Sequence, residues 1–215
     1  MKTEILHKLL LACGRVYRDG DKFKPVLEKE TPLIVENDFA DIGLLDGRVV
    51  VAVCGSDDVM DWSENIFLNF KNELRGRILS WIEINNFSSK KILITGHSRG
   101  AYIAQEIAKY LEILGYKVEA VVTFASPMIR TPLQKVGKYP HYRFVNGRDG
   151  VPSTPLLIQR LFSDSCWGHN GILIHINKPS WLTSWMKLTG TAQYHSIEEY
   201  EKAFCKHYKI KSYIK

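Results

Sequence analysis

Residues 92–114 constrain this chain more than any other stretch. Ile92–Thr95 is a short apolar run rich in β-branched residues, the pattern of a strand buried on both faces. Gly96-His97-Ser98-Arg99-Gly100 follows at once. From Arg99 to Leu114 the apolar residues Ile103, Ala104, Ile107, Ala108, Leu111 and Leu114 recur on one helical stripe. Gln105, Glu106, Lys109 and Glu112 face away, and Gly115 supplies the stop. A strand that turns into an amphipathic helix within five residues belongs to a layered α/β architecture.

The same rhythm recurs along the chain. Val49–Val53, Val118–Phe124, Tyr142–Val145 and Ile172–Ile176 read as further strands. Phe39–Leu45 reads as the partner of Val49–Val53 across Asp46-Gly47, a type I′ turn signal. Thr3–Cys13, a segment within Leu74–Asn86, and Ile197–Tyr208 read as helices. Gly14–Pro32 reads as a polar, turn-rich connection. Strands alternating with helices predict a mostly parallel central sheet with helical cover. With 215 residues, no repeats and no low-complexity linker, one domain over 1–215 is expected.

Composition excludes several classes. Apolar residues make up 45% and charged residues 24%, which fits neither a disordered nor a fibrous chain. The net charge is +6, with lysines densest at Lys202, Lys206, Lys209, Lys211 and Lys215. These read as a solvated helix face and tail, so no nucleic-acid partner is expected. Cys13, Cys54, Cys166 and Cys205 show no C-x-x-C spacing, hence no zinc or thioredoxin-like motif. They read as reduced thiols, with Cys54 buried at the end of an apolar run. His7 and Lys8 interrupt what would be a signal-peptide core, and the longest apolar run, Val49–Cys54, is far too short to span a bilayer. A cytoplasmic protein is the expectation.

The chemistry centres on Gly96–Gly100. G-x-S-x-G between a buried strand and a helix is the setting of a nucleophile elbow, which forces Ser98 into strained backbone angles and lifts its Oγ above the sheet. A serine nucleophile needs a base, and the base needs an orienting acid. Asp149, in Asn146-Gly147-Arg148-Asp149-Gly150-Val151-Pro152, follows the strand Tyr142–Val145 at the sheet edge where such folds bind ligands. His169 and His195 both follow it in chain order. His195 directly precedes a helix with Ser196 as its N-cap, a place that holds a histidine firmly yet exposed. His175 reads as a core or sheet-face residue. A developing oxyanion needs donors. Arg99 offers the backbone N–H after the nucleophile, and Ser56, after the strand Val49–Val53, offers its N–H and hydroxyl.

On these residues the chain resembles the class 3 lipases of the α/β-hydrolase superfamily, fungal-type triacylglycerol lipases with bacterial and phage relatives. The resemblance runs from about Asp38 to about Tyr200. It rests on the turn ending Val49–Ser56, Asp61-Trp62, Thr95–Gly100, Thr123-Phe124-Ala125-Ser126-Pro127, Asn146–Pro152, His169-Asn170-Gly171 and His195. It implies a minimal α/β-hydrolase fold, a triad of Ser98, Asp149 and His195, and an oxyanion hole of Ser56 and Arg99. The family usually has arginine at Cys54, leucine at Arg99 and glycine at Ala101.

The resemblance also implies a helical lid over about residues 57–72. There Val59, Trp62, Ile66 and Phe70 share one face, which equally suits a fixed helix packed on the sheet. The resulting expectation is a serine hydrolase that cleaves carboxylic esters through an acyl-enzyme and needs no metal or cofactor. Its partners would be an ester or lipid substrate and, transiently, a lipid interface; no oligomeric state is implied. Phospholipase or lysophospholipase action is the alternative substrate reading, motivated by the net charge and by Arg99 beside the nucleophile. A peptidase or thioesterase would use the same triad. A non-catalytic binding protein on this fold is the alternative of another class.

Overall fold

The computed structural model describes residues 1–17, 19–35, 38–55, 72–130, 137–147, 149–153, 167–177 and 194–214. The named elements are α1 (Thr3–Arg15), β1 (Glu28–Val35), β2 (Asp38–Leu45), β3 (Arg48–Val53), α2 (Asn72–Ile84), β4 (Ile92–His97), α3 (Arg99–Ile113), β5 (Val118–Phe124), β6 (His141–Asn146), β7 (Ile172–Asn177) and α4 (Ile197–Tyr208). The seven strands form one sheet in the order β1-β2-β3-β4-β5-β6-β7. The first three pair antiparallel, and β3 through β7 run parallel. A two-stranded ribbon, Ile129–Arg130 with Trp167–Gly168, stands apart. This is the mostly parallel, helix-covered sheet expected of an α/β-hydrolase fold.

Each face of the sheet has its own core. Leu74, Ile78 and Ile82 of α2 and Ile103, Ile107 and Leu111 of α3 cover one face. Leu9, Leu10 and Cys13 of α1, together with Tyr200 and Phe204 of α4, cover the other. Strands β3 and β4 are therefore sealed on both sides, and Val49 through Val53 are each 0% exposed. Fully burying an aliphatic side chain of this size contributes about 1.5–3 kcal/mol, so the central strands anchor the edge on which the site is built.

Most sequence expectations for the elements hold. Asp46 and Gly47 both adopt positive φ, 49° and 76°, as a type I′ hairpin demands. Cys54 is buried. Three expectations need correction, the first being Leu114, which caps α3 and is exposed rather than continuing its buried stripe. The segment Gly14–Pro32 is not a plain connection, because α1 continues through Gly14 to Arg15 and β1 begins at Glu28. Gly14 serves close packing, since a Cβ there would lie 2.6 Å from the Phe23 ring. β1 tolerates Pro32 because it is an edge strand paired only with β2, where a missing N–H is least harmful. The run Ile172–Ile176 is a strand, but it forms the opposite edge, with Ile172 and Leu173 exposed rather than buried. Cys166, Ser56 and the lid segment up to residue 71 lie outside the described residues.

Candidate active site

The elbow follows from local geometry. β4 runs through Gly96 and His97, and Ser98 turns the chain into α3 with φ 57° and ψ −130°. A non-glycine residue at such angles is strained and persists only where its surroundings enforce it. The Ser98 N–H donates to the Phe124 carbonyl at 3.0 Å, and the Ser98 carbonyl accepts from the Ala101 N–H at 2.9 Å. The two flanking glycines are required by space. A Cβ on Gly96 would sit 2.3 Å from the Gly100 carbonyl oxygen, and one on Gly100 would sit 2.3 Å from the Val53 carbonyl oxygen.

The structure brings Ser98, Asp149 and His195 together. Their side chains come from the ends of β4, the loop after β6 and the start of α4. Ser98 Oγ lies 2.8 Å from His195 Nε2, and His195 Nδ1 lies 3.0 Å from Asp149 Oδ2. Asp149 is an acceptor for three donors, which fixes the tautomer: His195 Nδ1–H donates to it and Nε2 is left to accept from the Ser98 hydroxyl. The other two donors are the Val151 N–H to Oδ1 at 2.9 Å and the Tyr200 hydroxyl to Oδ2 at 2.7 Å. Ser196 caps α4 by accepting from the Glu199 N–H at 3.3 Å, as expected.

The site is more enclosed than the sequence suggested. Ser98 and His195 are each 3% exposed and Asp149 is 2% exposed, so the expectation of an exposed histidine is corrected. The cause is packing: the His97 ring lies 4.9 Å from the His195 ring. His169 is placed elsewhere, its Nε2 donating to the Pro152 carbonyl at 2.8 Å. His175 lies in edge strand β7 and is half-buried. Arg99 opens α3, so its N–H belongs to the first turn, where amides point out of the helix end.

Two residues escaped the sequence reading. Tyr200, completely buried, steadies the acid with its hydroxyl, and burial beside the Asp149 carboxylate pushes its own ionisation well above the ordinary range. Its signal was present: an aromatic residue among glutamates, on the stripe it shares with Ile197 and Phe204. Tyr17 carried no such signal. Burial, with the neighbouring His195, holds His97 well below the ordinary histidine range and therefore neutral. His97 Nε2–H donates to the His195 carbonyl at 2.8 Å, so its Nδ1 accepts from the Tyr17 hydroxyl at 2.6 Å. That hydroxyl in turn accepts from the Gly55 N–H at 3.2 Å. A continuous bridge thus runs from the turn after β3 to the backbone of His195.

The family model of the class 3 lipases matches residues 61–159, a span that holds Ser98 and Asp149. The matched span is a little under half of the chain. That match and this fold make the chain similar to lipase-type hydrolases. Among solved structures it is similar to the triacylglyceride lipase of Rhizomucor miehei, at 18% identity and TM-score 0.60, covering 92% of each chain. It is similar also to a triacylglycerol lipase described as having a serine protease triad as its catalytic centre, at 17% identity and TM-score 0.60, again over 92% of each chain. A fungal lipase–inhibitor complex described as a model for interfacial activation matches at 18% identity and TM-score 0.59, over 80% of this chain and 78% of that one. At these identities the structural likenesses speak to fold. No curated protein sequence matches the chain.

Proposed function

We propose that the chain cleaves carboxylic esters, with Ser98 as nucleophile, His195 as general base and Asp149 as the acid that holds the imidazole. The observation that carries this reading is the unbroken hydrogen-bond path from Ser98 Oγ through both His195 nitrogens to Asp149 Oδ2. As Ser98 Oγ attacks the ester carbonyl, His195 Nε2 takes its proton and the imidazolium is stabilised by Asp149. The tetrahedral intermediate collapses, His195 protonates the departing alcohol, and an acyl-Ser98 remains. Water then repeats the sequence and releases the acid.

The oxyanion is assigned to the Arg99 N–H and to Ser56. Arg99 directly follows the nucleophile at a helix start, where amides favour negative charge. The Gly55 N–H is engaged by Tyr17, and Gly55 packs against Ser98, with a Cβ there falling 2.9 Å from Ser98 Cβ. With the Gly55 N–H engaged, this reading takes its second donor from the next residue, Ser56, as the family resemblance implies.

Lipid esters are the favoured substrates, given the class 3 lipase match and the relatives named above as acting on triacylglycerols. Transient contact with a lipid interface goes with this reading. Among the described residues no helix is long and apolar enough to cross a membrane. A panel of p-nitrophenyl esters, triacylglycerols and phospholipids tests the reading. Turnover of at least one ester class by the wild-type chain, absent in Ser98→Ala, is expected. An equally active Ser98→Ala would overturn it. Preference for phospholipid, lost in Arg99→Leu, would instead favour the phospholipase reading, in which the half-buried Arg99 beside the nucleophile pairs with phosphate.

A further inference from the structure

Away from the elbow, α1 and α4 meet around three buried side chains that the hydrolytic chemistry does not use. His7 is 3% exposed, Glu201 is 0% exposed and Cys205 is 6% exposed. His7 Nε2 lies 3.1 Å from Glu201 Oε1, Cys205 Sγ lies 3.1 Å from the same oxygen, and Sγ lies 3.5 Å from Nε2. Three atoms at these separations leave a point about 2.0–2.1 Å from the nitrogen and oxygen and about 2.3 Å from the sulfur, zinc's usual bond lengths to each. Glu201 and Cys205 stand one helical turn apart on α4, and His7 faces them from α1.

The hydrogen bonding is lopsided in a way that a cation would relieve. Glu201 Oε1 faces three donors: His7 Nε2, Cys205 Sγ and the Tyr213 N–H at 3.1 Å. Among the described residues Oε2 faces only the Ser212 hydroxyl, at 2.8 Å. A carboxylate oxygen offers about two lone-pair directions, so three donors crowd one oxygen. A metal ion in place of the thiol and imidazole protons would turn Nε2, Oε1 and Sγ into ligands. Ser212 and Tyr213 would remain as outer donors that orient the carboxylate. The surroundings are those of a closed structural site. The His7 ring is stacked between Phe204 and Tyr213, with centroids 5.6 and 5.5 Å away.

We propose that His7, Glu201 and Cys205 form a structural site for a borderline-soft divalent cation, zinc above all. The mixed nitrogen, oxygen and thiolate donor set selects zinc over calcium or magnesium, which take oxygen ligands. Binding releases the Cys205 thiol proton to solvent and requires His7 Nε2 to carry no proton, so that it can ligate. A metal here would tie α1 to the helix that follows His195 and carries Tyr200. It is distinct from the Ser98 site and takes no part in ester cleavage. Sequence spacing is blind to it, because His7 and Glu201 lie 194 residues apart.

The test uses the full chain stripped of metal by a chelator and then titrated with cobalt(II) and, separately, zinc(II). One equivalent of cobalt should give an ultraviolet thiolate-to-cobalt charge-transfer band, and zinc should compete it away and raise the melting temperature. Cys205→Ser should lose the band, and His7→Gln should weaken zinc binding at least tenfold. Ser212→Ala, an outer-donor change, should weaken it roughly tenfold to a hundredfold. Absence of both the band and the thermal shift in the wild-type chain overturns the proposal. Persistence of the band in Cys205→Ser also overturns it, since the thiolate would then be another cysteine.

Discussion

The two faces of the sheet are built from different materials. The face under α2 and α3 is almost wholly aliphatic, with Leu74, Ile78, Ile82, Ile103 and Ile107 packed on valines and isoleucines of β3 and β4. The face under α1 and α4 is rich in rings, among them Phe23, Phe124, Phe144, Tyr200 and Phe204. It also holds buried polar pairs, including His7 with Glu201 and Cys13 with Thr95. Aliphatic packing is directionless and sets stability. Buried hydrogen bonds are directional and fix positions at an energetic cost. The difference teaches that the α2/α3 face holds the fold together, while the α1/α4 face aims the groups at the sheet edge.

The largest effect belongs to the histidine that the α1/α4 face aims. His195→Ala should lower turnover by on the order of a millionfold, and His195→Ala with Ser98→Ala should be no worse, because such groups act as a unit. His169→Ala, whose ring is occupied with Pro152, should keep measurable turnover. Rates measured on folded variants check both, and the reverse pattern would move the base to His169.

Next is Tyr200→Phe. It removes one hydrogen bond to a buried carboxylate, worth about 1.5–3 kcal/mol, so turnover should fall roughly tenfold to a hundredfold with KM little changed. A loss confined to KM would mean that Tyr200 shapes binding and does not steady Asp149. The counterpart on the other face is Ile78→Ala, which should destabilise by about 2–5 kcal/mol and leave the turnover of the folded fraction unchanged. A drop in turnover comparable to that of Tyr200→Phe would erase the proposed division between the faces.

The smallest effect is acid sensitivity. Burial, with nearby Arg143 and His169, lowers His141 from the ordinary 6.5 to about 4. Between these values the unfolded chain binds the proton and the folded chain does not. Stability is therefore full above pH 6.5, drains as pH falls, and levels off below about 4. His141→Gln should narrow the gap between the melting temperatures at pH 7 and pH 5. An unchanged gap would assign the acid sensitivity to other groups, His97 first among them.

What the sequence made legible follows from which signals are local. The elbow was legible because strand, turn and helix are contiguous, and glycines mark its close approaches, Gly96 to the Gly100 backbone and Gly100 to the backbone of Val53 and Cys54. Chain order and loop placement brought Asp149 and His195 within view. β1 was missed because its pairing with β2 outweighs the turn-forming look of Gly14–Pro32, and Pro32 is harmless only at an edge that the sequence does not reveal. Tyr17, His97 and Gly55 act together although they lie far apart in the chain, and no periodicity records such a bridge. The exposure expected for His195 failed because the His97 ring and α4 close over it.

Ester cleavage here requires Ser98 to be an activated nucleophile, and a fluorophosphonate probe reads that directly. Wild-type protein should take up one covalent equivalent, mapped to Ser98 by peptide mass spectrometry. Ser98→Ala should take up none, and His195→Ala should label far more slowly. A folded wild-type chain that stays unlabelled, or a Ser98→Ala variant that labels as the wild type does, would contradict the central claim.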